Sequence, residues 1–267
     1  LISCVNVKTD IPSPSSVPET PSATTVPPTS SLYGSMNVGS SKKLQGNCVF
    51  ISIFLSDGES SFTEYDKEEQ LRSLRSAATY LLNQAEKYGQ TLSIIYNTED
   101  TNIDYAVDYI VPRKFGNAWP YDELISEIYS KYNIDGIMEK YDADNLSFII
   151  NINKSGRAYA SQIAADVEYN EVAIIYRYHS EEDIPAKEIS YGGTGDYAHE
   201  LLHLFGAIDL YDLDEERLSL AKEYFPDDIM LKCDVSFEKD VDSLSYLTAY
   251  LIGWTDKLDE KYWIFLE

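Results

Sequence analysis

Hydrophobic and polar positions change their arrangement at about residue 47. Before it, apolar residues are scattered singly among prolines, serines and threonines. After it, they recur with two distinct periods. Val49-Phe50-Ile51-Ser52-Ile53-Phe54-Leu55 is a run of β-branched and aromatic residues, the pattern of a strand covered on both faces. Residues 66–88 instead set Leu71, Leu74, Ala78, Leu81, Ala85 and Tyr88 on one helical face, and Gly89 supplies the stop. Leu92-Ser93-Ile94-Ile95-Tyr96 predicts a second strand. A second helix is predicted from near Tyr121, with Leu124, Ile125, Ile128 and Tyr132 facing inward. Residues 146–152 predict a third strand, residues 157–161 a weaker extended piece, and Val172-Ala173-Ile174-Ile175-Tyr176 another strong strand. Strands separated by helices predict an α/β body with a mostly parallel, twisted sheet. No internal repeat is visible.

The first 46 residues belong to another regime. Residues 8–46 hold Pro12, Pro14, Pro18, Pro21, Pro27 and Pro28 among many Ser, Thr and Gly. Too few apolar side chains are present to offset the ordering entropy, so a mobile linker is expected over residues 5–46. Leu1-Ile2-Ser3-Cys4 resembles the end of a bacterial lipoprotein signal, in which an aliphatic residue, a free position and a small residue precede an acylated cysteine. That resemblance implies Cys4 as the lipidation site, residues 1–4 as a signal remnant, and residues 47–267 held at the extracellular face of a bacterial membrane by a lipid anchor. Cys48 and Cys233 remain, either as a disulfide or as two buried thiols.

Charge narrows the partners. The chain carries 45 acidic and 21 basic side chains, a formal net charge of −24. Residues 1–46 contribute none of that excess, so the folded part repels phosphate backbones and nucleic acid is excluded as a partner. Solubility outside the cell, with room for structural Ca²⁺, accounts for the acidity. No run of eighteen apolar residues exists, so a lipid anchor is the expected membrane contact. A monomer is expected.

The segment with the clearest chemistry is Tyr197-Ala198-His199-Glu200-Leu201-Leu202-His203-Leu204-Phe205-Gly206-Ala207-Ile208-Asp209. Thr194 or Asp196 can cap a helix here and Gly206 can end it. Two of the chain's three histidines stand four apart, so both imidazoles leave one helix face about a turn apart. That spacing lets two nitrogens reach one Zn²⁺ at about 2.0–2.1 Å. Glu200 is rotated ~100° around the axis, beside the metal, where it can take a proton from water. A sharp turn at Gly206 can return Asp209 as a third ligand, leaving the fourth position open as a catalytic zinc requires. The third histidine, His179, follows a strand and is read as a surface or internally satisfied residue.

These eleven residues, 199–209, resemble the metzincin clan of zinc peptidases, in the minority form ending in Asp that snapalysins carry. The resemblance implies zinc held by His199, His203 and Asp209, Glu200 as the catalytic base, and hydrolysis of a peptide or protein substrate. Met230, in Asp227-Asp228-Ile229-Met230, is similar to the clan's methionine in a tight turn beneath the metal. Many members place a tyrosine two residues later, where this chain has Lys232. The implied fold is of the zincin type: an antiparallel edge strand at residues 157–161 pairing with substrate, the active-site helix, and a smaller, mainly helical C-terminal subdomain containing Leu244, Leu247, Tyr250 and Leu251. Two other readings remain. One is a surface adhesin or binding lipoprotein with a non-catalytic zinc; the other is an exopeptidase or amidase on the same scaffold.

Overall fold

A computed structural model describes residues 41, 43–113, 121–161, 171–179, 193–232 and 243–266. Cys4, Cys233 and residues 5–40 of the expected linker lie outside the described residues, as does the side chain of His179. The fold is mixed α/β, with six strands, six α-helices and one 3₁₀ helix among the described residues. In chain order they are β1 (Gly46–Ser56), α1 (Glu64–Lys87), β2 (Leu92–Ile95), β3 (Asn102–Ala106), α2 (Tyr121–Lys131), α3 (Ile134–Tyr141), β4 (Asn145–Gly156), β5 (Tyr159–Ser161), β6 (Val172–His179), α4 (Thr194–Leu204), α5 (Glu215–Tyr224) and α6 (Tyr246–Leu251). A 3₁₀ turn, Glu260–Leu266, follows α6.

The sheet order is β2-β1-β4-β6-β5, with β3 continuing the β2 side of β1. Every pairing is parallel except that of β5 with β6. Alternation along β1 divides the core. Val49, Ile51, Ile53 and Leu55 face α2 and α3, whereas Cys48 and Phe50 face α1, α4 and the C-terminal helices. Both faces are covered, which explains the near-continuous apolar runs that the sequence shows in β1, β4 and β6. Cys48 is a free, buried thiol, and burial pushes its pKa up to about 12.

Two expectations need correction. Leu44 was placed in the linker but is fully buried, donating its N–H to Ile252 (3.1 Å) and accepting the Trp254 indole N–H (2.6 Å). The packed body therefore reaches back to Ser41, which is also buried. Tyr132 is 36% exposed rather than inward, because α2 ends one residue before it. β3, α3 and α5 leave only weak patterns in the sequence. β3 has the buried-exposed alternation of an edge strand over only five residues, and α5 buries only Ala221 completely.

One local feature sets the edge of the sheet. A register shift in β4 after Ile152, then Gly156, lets the chain leave the β4 line. A Cβ on Gly156 would sit 2.4 Å from the Tyr176 ring, so only glycine permits that close approach. The chain then returns as β5 along the far side of β6, with no described strand on its other edge.

Candidate metal centre

Helix α4 lies on the α1 face of the sheet and is locked there by a buried polar contact. The Tyr197 hydroxyl hydrogen-bonds Asn151 Oδ1 of β4 and lies 2.9 Å from Gln70 Oε1 of α1. Gly193, rather than Thr194 or Asp196, is the N-cap residue. Asp196 contributes from inside the first turn, its carboxylate accepting the Gly193 N–H at 2.6 Å at the positive end of the helix dipole.

The other end explains how Asp209 returns. Gly206 has φ +102°, the left-handed region open to glycine. Its N–H bonds to the His203 carbonyl (3.0 Å) and the Ala207 N–H to the Leu202 carbonyl (3.2 Å). This pair of bonds is the Schellman closure of a helix. The chain reverses so sharply that the Asp209 carboxylate comes back over the histidine face.

Three atoms then converge. His199 Nε2 and His203 Nε2 are 3.0 Å apart, and Asp209 Oδ1 lies 2.9 Å from the first and 3.0 Å from the second. The outer nitrogens are already committed: His199 Nδ1 donates to the Ile229 carbonyl (3.2 Å) and His203 Nδ1 to the Ala207 carbonyl (2.7 Å). Backbone acceptors on Nδ1 leave neutral imidazoles with lone pairs at Nε2. Two lone pairs and a carboxylate oxygen thus face one another with no donor between them, and only a cation or an added proton reconciles them. A metal ion fits. Tetrahedral bonds of about 2.0–2.1 Å need donor separations of roughly 3.3–3.4 Å, so the triangle need open by only a few tenths of an ångström. These three residues could hold a metal ion.

The electrostatics are those of a cation-deficient cluster. Burial would raise the Asp209 pKa, but imidazoles that take up a proton at Nε2 outweigh it and hold the carboxyl far below its usual range. Burial opposes the charged form of His203, yet its bond to Asp209 and the nearby Glu200 leave its pKa raised. Glu200 is 6% exposed, and its Oε2 has no hydrogen-bond partner. Burial raises its pKa, against the opposing pull of His199 and His203.

A cavity of about 480 Å³ opens over this cluster, lined by Glu200, His203, Asp209, Tyr211, Asp212 and residues 157–160. The 157–160 segment contains the start of edge strand β5. Tyr211 stands two residues after Asp209, a position to which no motif in the sequence draws notice. Its ring stacks on His199 with centroids 6.0 Å apart, and its hydroxyl accepts from Arg157 at 3.1 Å. Met230 is fully buried, and the turn that carries it also carries the Ile229 carbonyl bound to His199. Lys232 pairs with Asp227 at 2.8 Å, both half exposed. No protein-family model matches this chain, and a search of curated proteins finds no similar one.

Proposed function

We propose that the chain is a zinc-dependent endopeptidase, with His199, His203 and Asp209 as ligands and Glu200 as general base. One observation carries the reading: three inward-facing acceptors lacking a donor stand beside a buried carboxylate with an unpartnered oxygen, under an open cavity. A structural metal has no use for the last two features.

Zinc bound there supplies Lewis acidity, polarising a scissile carbonyl and acidifying the attacking water. The rest falls to the chain's own groups. Glu200 accepts a proton at its unpartnered Oε2 and returns it to the departing amine. Its burial suits both halves of that task, because it weakens the preference for the charged form. No described strand lies beyond β5, so that edge is where an extended peptide can add, with Ala158 and Ala160 lining the cavity beside it. Tyr211 brings a phenolic hydroxyl to the same cavity, where a donor can stabilise charge developing on the carbonyl oxygen.

Glu200→Ala tests the assignment against a metal-binding protein without catalysis. Its expected phenotype is unchanged zinc content with about 10²–10⁴-fold slower cleavage of casein or a peptide library. Equal cleavage by wild type and variant at equal zinc occupancy would overturn it.

A further inference from the structure

Asp228 is wholly buried, and among the described residues no Lys, Arg or His pairs with it. Its carboxyl oxygens are met by three uncharged donors. The Met230 N–H reaches Oδ1 at 2.8 Å, while the Ser245 N–H and the Thr248 hydroxyl both reach Oδ2 at 2.8 Å. The first donor belongs to its own turn and the other two to the start of α6, so the carboxylate ties the turn to a helix that packs in the core.

What the turn holds out is more specific. The Ile229 carbonyl accepts from His199 Nδ1 at 3.2 Å, and the Met230 carbonyl accepts the Leu210 N–H at 2.9 Å. His199 is one candidate ligand, and Leu210 directly follows another. Two consecutive carbonyls thus steer two of the three converging groups, and the carboxylate that shapes their backbone is Asp228. We propose that Asp228 is the positioning residue of the metal centre, acting through these carbonyls to aim His199 and Asp209. The inference rests on the metal-site reading above and goes beyond it by naming what holds the ligands in register. A residue two hydrogen bonds removed from a ligand is effective here because the Nδ1 acceptor fixes both tautomer and ring orientation.

Asp228→Asn is the sharp variant, since it keeps volume while replacing one acceptor oxygen by an N–H₂ donor. That donor must oppose either the Met230 N–H or the Ser245 N–H, neither of which can turn round to accept. Thr248→Val removes one donor and leaves the carboxylate intact, so it is expected to disturb the fold less than the first variant. Ile128→Val, in the core on the opposite face of the sheet, is the control for lost stability alone. Zn²⁺ and Co²⁺ affinities of the full chain are measured by chelator competition, together with the visible spectrum of the Co²⁺ form and the thermal midpoint. Asp228→Asn is expected to bind both ions about 10–100-fold more weakly with an altered Co²⁺ spectrum. Thr248→Val is expected to shift both readouts in the same direction by less, and Ile128→Val to lower the midpoint only. Wild-type affinity and spectrum in Asp228→Asn, or in Thr248→Val should the former not fold, would overturn the proposal. A wild-type chain that binds neither ion would defeat the metal reading itself, an outcome distinct from equal binding by wild type and variant.

Discussion

Two carboxylates, Asp57 at the end of β1 and Asp209 after α4, meet opposite surroundings. Asp57, with a side chain 1% exposed, faces the Lys154 ammonium and accepts the N–H groups of Glu59 (2.9 Å), Ser60 (2.9 Å) and Val111 (2.8 Å). Lys154 in turn reaches Glu59 Oε2 at 3.3 Å and the Val111 carbonyl at 3.2 Å. Donors and acceptors there close on themselves. Asp209, 31% exposed, faces two imidazole nitrogens whose partner rings are already tied to backbone carbonyls. Nothing the described chain supplies answers it, short of protonating an imidazole. The difference separates a charge answered within the fold from one left facing imidazole acceptors beside a cavity.

The largest effect should come from breaking the open cluster. His203→Ala removes one corner of the triangle at a position 17% exposed, so the fold should survive while the metal does not. The expected loss of Zn²⁺ affinity exceeds the about 10–100-fold typical of losing an outer hydrogen-bond partner. Metal analysis after dialysis checks it, and stoichiometric zinc in the variant would sink the ligand assignment. The closed cluster around Asp57 should not notice, because its hydrogen bonds and ion pairs run among β1, β4 and the segments at 57–60 and 111 and do not involve α4.

Breaking the closed cluster should do the reverse. Lys154→Met leaves Asp57 buried without its cation, which costs about 3–5 kcal/mol of stability, while the metal affinity of the folded fraction stays at the wild-type value. Urea denaturation alongside a chelator titration separates the two. Acid reaches the same contact from the other side. Burial would raise the Asp57 pKa, but Lys154 and the three amides hold it down at about 2. A lowered folded-state pKa means stability that is present above the unfolded value near 4 and is lost as pH falls through about 2. That acid-labile part should shrink in Lys154→Met.

The two clusters also differ in how far the sequence disclosed them. The open one was legible because a helix fixes the relative directions of residues four apart, so His199, Glu200 and His203 carry their geometry in their spacing. Asp209 needed the Gly206 turn, which glycine announces. The strong strands were legible for the same reason, since β1, β4 and β6 are covered on both faces and read as apolar runs. The Asp57–Lys154 pair, 97 residues apart in sequence, left no such trace. Asp228 was equally hidden: its partners at Ser245 and Thr248 are brought close only by the packing of α6, and a buried aspartate looks like any other acidic residue in so acidic a chain. Local periodicity records direction, whereas partners distant in sequence are chosen by the fold.

The smallest expected effect separates side chain from backbone in the turn beneath His199. Met230 is fully buried and sits in the same apolar cluster as Leu210, Ile229 and Leu247. What its turn offers the ligands, however, is a pair of carbonyls, those of Ile229 and Met230, held by Asp228 through the backbone. Leucine has nearly the same volume and does not alter that backbone. Met230→Leu should therefore cost less than about 1.5 kcal/mol, the usual size of a volume-conserving core exchange, and leave Co²⁺ affinity within about twofold of wild type. A urea midpoint and a chelator titration on one preparation measure both. A tenfold loss of affinity with little loss of stability would mean that the thioether itself shapes the surroundings of the metal. The burden now placed on Asp228 would then be shared with the side chain two residues on.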